Sequence, residues 1–137
     1  MEIVRQEEPT GCGLASVAMV TGRTYQQVKE FANSLGIVAT DTRLYSDTGY
    51  VRRLLAKYGI RVSGEETPFT TWNALPNKAL LAIKYRIEDS QPSWHWVVFC
   101  GEHGASVVLD PAPYLSNNRR TDFEDMQPKW FIEIHDS

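Results

Sequence analysis

Basic charge, long apolar runs and cysteine are all scarce in this chain, and each scarcity excludes something. The 14 Lys and Arg are outnumbered by 17 Asp and Glu, and the basic residues gather no further than the pairs Arg52-Arg53 and Arg119-Arg120. A polyanion partner needs a positive patch that displaces counterions, so nucleic acid is not expected as a partner. No apolar stretch approaches the roughly 20 residues that span a bilayer. The N-terminus, Met-Glu-Ile-Val-Arg-Gln-Glu-Glu, carries no apolar segment of signal-peptide length. The expectation is a cytoplasmic protein without a membrane span, or one exported without a classical signal. Two cysteines, Cys12 and Cys100, are too few for a disulfide framework, although one bridge between them would consume both thiols. Internal repeats and low-complexity tracts are missing too, and nothing sets an oligomeric state.

What is present is the composition of a globular protein, 42% hydrophobic and 23% charged over 137 residues. That length suits one domain, residues 1–137, with a single core. The apolar residues Leu14 to Val20 lie on nearly every side of a helix, which predicts a short helix buried all round and ended at Gly22. Thr24-Tyr-Gln-Gln27 matches a capping box, followed by Val28, Phe31, Ala32 and Leu35 at helical spacing and Gly36 as the stop. Residues 37–46 lack periodicity and read as a surface loop. A third helix starts near Asp47 or Thr48, with Val51, Leu54, Leu55 and Tyr58 as its stripe and Gly59 at its end. The period then changes. Short strands are predicted at 60–62, 79–85, 94–100, 106–109 and 130–134, with one helical turn within 69–75. Helices first and strands afterwards imply an α+β fold, the helices packed on a mostly antiparallel sheet.

The chemistry-bearing residues lie in three places. Cys12 opens the first helix, where unpaired backbone N–H groups and the helix dipole favour a thiolate, the nucleophilic form of the side chain. Gly11 and Gly13 leave room for a substrate carbonyl, and Gln6 offers an amide donor for an oxyanion beside the backbone N–H of Cys12. A buried packing cysteine is the competing reading. His95 stands almost at the start of the strand Trp94 to Cys100, entered through a polar loop 87–93. Alternation puts His95, Val97 and Phe99 on one face, and Trp94, Trp96, Val98 and Cys100 on the other. If His95 faces the Cys12 helix, Cys100 points away from it and becomes a core thiol. Asp110-Pro111 ends the next strand, joined through a hairpin turn around 102–105. Its carboxylate either orients the His95 imidazole or merely serves a turn before proline.

His103 and His135 read as exposed, and Cys12, His95, Cys100 and His103 lack paired spacing for zinc, so neither a metal nor any other cofactor is expected. Trp72, Trp94, Trp96 and Tyr114 either line a cleft or pack in the core, the core being the simpler reading. Asp41, Arg43 and Asp47 either contact substrate or are solvated.

Gln6, Cys12-Gly13-x-Ala15, His95-x-Val97-Val98 and Asp110-Pro111, in this order, resemble the papain-like double-glycine leader peptidases of bacteriocin-exporting bacterial ABC transporters. In that family an acidic residue usually precedes the cysteine; here Gly11 does. The resemblance implies a papain-like fold and a cysteine peptidase, a thiol hydrolase acting on a peptide or protein substrate. It assigns Cys12 as nucleophile, His95 as general base, Asp110 as orienter and Gln6 as oxyanion donor, in a stand-alone relative or a domain cut from a longer chain. A glutamine deamidase or an acyl or peptide transferase would use the same residues, and a non-catalytic peptide-binding module would keep the fold alone.

Overall fold

The computed structural model describes residues 1–101 and 104–135. Helix α1 spans Cys12–Thr21, α2 Tyr25–Ser34 and α3 Gly49–Lys57; strands β1 Arg61–Val62, β2 Thr67–Pro68, β3 Lys78–Glu88, β4 Gln91–Cys100, β5 Val107–Leu109, β6 Arg119–Arg120 and β7 Trp130–His135 follow. The strands form a sheet ordered β1-β7-β3-β4-β5-β6, with β2 also on β7, and every pairing is antiparallel. The fold is α+β, three helices packed on an antiparallel sheet. Among the described residues no helix is long and apolar enough to cross a membrane.

The three helices end where their residues dictate. Gly22 adopts φ 70°, a left-handed conformation that costs glycine nothing, and its N–H closes α1 onto the Ala18 carbonyl. Thr24 and Gln27 exchange hydrogen bonds with each other's backbone N–H at the start of α2, the reciprocal capping box. Val51, Leu54 and Leu55 of α3 are buried together with Leu14, Val17 and Ala18 of α1. Residues 37–46 do not simply cross the surface: Thr42–Ser46 is a 3-10 turn, and Ala39 and Leu44 are buried in the same core. Thr10 Oγ1 donates to the Ala39 carbonyl and ties this segment to the entry of α1.

The sheet has two covered faces. Leu80, Ala82, Trp94, Trp96 and Val98 pack against the helices, whereas Leu81, Ile83, Val97, Phe99 and Val108 pack against Trp72, Leu75, Phe123 and Met126 from the loops. The expected polar loop 87–93 is instead the tip of a hairpin. Glu88 pairs with Gln91 across Asp89 and Ser90, whose φ values of 50° and 65° make a two-residue turn whose twist suits the strands. Asp-Ser is a weak sequence signal for such a turn. His95 is therefore the fifth residue of β4 rather than nearly its first.

Two β3 residues, Lys84 and Tyr85, stand opposite Trp94 alone, a bulge in which Lys84 adopts φ 55°. The expected turn at Glu102 and the exposed placement of His103 lie outside the described residues. His135 ends β7, half exposed, with its ring beside Ser63 and Glu133. Strands β2 and β6 were not anticipated, since two-residue strands leave no alternation to detect.

Candidate active site

Strand β5 pairs with β4 only from Val98 to Cys100 and then turns away after Leu109. The remainder of β4 is left with an open edge, and the start of α1 occupies it. The backbone N–H of Trp96 points outward from that edge and donates to Cys12 Sγ at 3.4 Å. The site is thus assembled at a strand edge rather than across a sheet face. This corrects the expectation about faces: α1 lies over the Trp94, Trp96 and Val98 side, and Cys100 packs against that same cluster, not away from it. The large indoles need the cover of a helix, which decides the side. Cys12 and Cys100 are both free thiols nonetheless.

The imidazole of His95 bridges the two remaining groups. Its Nε2 lies 2.6 Å from Asp110 Oδ1, and the Cys12 side chain is the other neighbouring group that raises its pKa. Burial pulls the His95 pKa down, but the hydrogen bonds to Asp110 and Cys12 outweigh it and raise the value to about 9. Asp110 is fully buried. Its Oδ1 also accepts from the Ala112 N–H at 3.0 Å, and its Oδ2 from Arg120 Nη1 at 2.9 Å. Burial favours the neutral acid, yet the His95, Ala112 and Arg120 donors hold the Asp110 pKa below its ordinary value.

Gln6 is close by but differently engaged than expected. Its backbone N–H donates to the Pro111 carbonyl at 2.9 Å, fastening the N-terminal segment beside Asp110. Its side-chain Nε2 donates to the carbonyls of Glu8 at 3.0 Å and Pro9 at 3.2 Å, and Oε1 is buried with no partner among the described residues. The amide donors thus brace their own loop. No side chain caps α1, so the first-turn N–H groups beside the sulfur are the other donors at hand.

The glycines flanking Cys12 make room for tyrosines rather than for substrate. A Cβ on Gly11 would stand 2.1 Å from the Tyr25 hydroxyl, and one on Gly13 would stand 2.0 Å from that of Tyr50. The Tyr25 hydroxyl meets Glu8, which also pairs with Lys29 Nζ at 2.5 Å. Tyr50 is buried, its hydroxyl lacks a partner among the described residues, and burial together with Cys12 raises its pKa well above the ordinary value.

Sequence reasoning missed Tyr50, Arg120 and Asn118. Tyr50 precedes Leu54 by one helical turn, and that spacing could have placed it on the inner face of α3. Arg120 spends its remaining donors on Asp122, with Nη2 at 2.7 Å from Oδ2. Asn118 Nδ2 donates to the carbonyls of Asp110 at 2.7 Å and Ala112 at 2.8 Å, while its Oδ1 accepts from Arg5. The polar run Asn117 to Arg120 carried no motif that would have singled these out. Trp94 and Trp96 are core residues, as the simpler reading had it, and Tyr114 is 70% exposed. Asp41 and Asp47 accept backbone N–H bonds from Arg43 and Gly49, capping local turns.

A cysteine at the mouth of a buried helix, set against a histidine on an antiparallel sheet, is the layout of the papain-like cysteine peptidase fold. A solved structure shares that fold: a double glycine motif protease from an AMS/PCAT transporter, crystallised in complex with the leader peptide. It matches with a TM-score of 0.59 over 97% of this chain and 89% of its own, at 18% identity. At that identity the likeness carries the fold. No family model and no curated protein matches the sequence.

Proposed function

We propose that the protein is a cysteine peptidase whose reacting groups are Cys12, His95 and Asp110. The single observation that carries this reading is the 2.6 Å bond between His95 Nε2 and Asp110 Oδ1, with Cys12 near enough to the same ring to raise its pKa, although the three lie far apart in sequence. In this reading the Cys12 proton passes to His95 Nδ1 while Nε2–H remains on Asp110. The sulfur adds to the carbonyl carbon of a peptide bond, and the imidazolium then gives its proton to the departing amine. Water, deprotonated by His95, releases the acyl group and restores the thiol. A His95 pKa of about 9 suits the acid half of this cycle, because the ring holds its proton at neutral pH until the amine needs it.

The developing oxyanion is received by the Cys12 N–H and by Gln6 Nε2, which exchanges one of its loop carbonyls for it. A charged acceptor makes roughly twice as strong a bond as a neutral carbonyl, so the exchange is downhill. The structural neighbour was crystallised with a leader peptide, and a peptide whose scissile carbonyl reaches Cys12 is the corresponding substrate here. The test is to incubate a proteome digest with wild-type protein and Cys12→Ala and to sequence the new N-termini. Termini that depend on Cys12 support a peptidase; ammonia release without them would replace it with a deamidase.

A further inference from the structure

A pocket that adjoins the candidate site is basic in a protein whose net charge is −3. It has a volume of about 510 Å³, and its wall includes Ile83, Lys84, Arg120, Asp125, Met126 and Lys129, three cations against one carboxylate. Ile83 pairs directly with His95 across the β3–β4 ladder, and Arg120 bonds Asp110, so the pocket adjoins the site. Arg120 is neutralised by Asp110 and Asp122. Lys84 has no carboxylate partner among the described residues. Its Nζ meets the Tyr114 hydroxyl at 2.5 Å, an exposed contact. In the sheet β4 lies between β3 and the loop after β5, so this contact arches over β4 beside His95. Lys84 itself sits in the β3 bulge, at φ 55°. Bulges often redirect a side chain next to an active site, and a non-glycine residue held left-handed is a local strain.

We infer that Lys84, with the Tyr114 hydroxyl, forms a subsite for an acidic residue of the substrate on the leaving side of the scissile bond. This rests on the peptidase reading, in which the departing amine takes its proton from His95. The leaving segment must then run out on the imidazole's side of the sulfur, toward these cations. A carboxylate arriving there replaces the neutral phenol as the partner of Lys84, forming an ion pair where only a neutral acceptor stood.

The experiment uses the full chain as wild type, Cys12→Ala and Lys84→Glu against a peptide library from a proteome digest, with new N-termini read by mass spectrometry. Asp and Glu should be enriched about threefold in the first positions after the cut, the ratio an exposed ion pair yields. Lys84→Glu should move the preference to Lys and Arg. Cys12-dependent termini without acidic enrichment, or with enrichment unchanged in Lys84→Glu, would overturn the subsite and leave the peptidase standing. If no Cys12-dependent termini form, the peptidase reading falls, and binding decides the subsite. Cys12→Ala protein is then titrated with a triglutamate and a trilysine peptide. Triglutamate alone should perturb the NMR signals of Lys84 and Tyr114, and lose that effect in high salt; equal or absent responses would overturn the proposal.

Discussion

Replacing Asp110 by Asn tests the central contact without any knowledge of the substrate. The rise of His95 from 6.5 to about 9 corresponds to about 3 kcal/mol of folded-state stability. Asp110 is the foremost of the groups that raise it, so Asn should forfeit the larger part, about 2 kcal/mol. The sign follows from the direction of the shift. A raised histidine pKa contributes fully below the unfolded value of 6.5, fades as pH climbs toward about 9, and contributes nothing above it. Asp110→Asn also weakens the contacts with Ala112 and Arg120, but those are present at both ends of this range and cancel in the comparison. Urea or thermal unfolding of wild type and variant at about pH 6 and about pH 10 should therefore give a wider gap at the lower pH. The excess should be about 2 kcal/mol, or about 7 °C in Tm for a chain of this size. A gap equal at the two pH values, or wider at the higher one, would refute the account of His95.

Gly13→Ala should destabilise even though alanine is the better helix former by about 1 kcal/mol. Its Cβ would meet Tyr50 at 2.0 Å from the hydroxyl and 2.7 Å from Cζ, and the buried ring has nowhere to swing. A net loss of about 1–3 kcal/mol in urea unfolding is expected, and adding Tyr50→Phe should not restore it, because the ring carbon still collides. Arg120→Gln should cost about 2 kcal/mol, the loss of one charged hydrogen bond, because His95 and the Ala112 N–H still hold the Asp110 carboxylate. Because Arg120 helps hold the Asp110 pKa down, its loss should also make acid unfolding begin at a higher pH. Arg120→Lys, which keeps the charge but not the forked geometry, should fall between wild type and Gln in both readings.

Much of the local structure was legible because its causes are local. The run Leu14 to Val20 and the glycine after it define α1, Thr24 and Gln27 cap α2, and the spacing of Val51, Leu54 and Leu55 marks the inner face of α3. Cys12 at the start of α1 and Asp110 just after β5 could also be singled out by position, whereas His95 lies inside β4 and not at the strand start that drew notice to it.

Where those residues meet was not legible. Alternation along β4 says which side chains share a face, but not which face the helix covers, and so it placed Cys100 on the wrong side relative to α1. The departure of β5 after Leu109 opens the edge at which the Trp96 N–H meets Cys12, and a strand's length is decided by its neighbour rather than by its own residues. Gln6 in sequence is a free amide, yet in space its N–H₂ faces two carbonyls of its own loop. Periodicity and capping act within a few residues of the chain, so sequence alone determines the helices, most of the strands and the α+β class. Hydrogen bonds between Asp110 and Arg120, and the fit of Tyr50 over Gly13, join segments that only packing brings together, and the tertiary structure alone decided them.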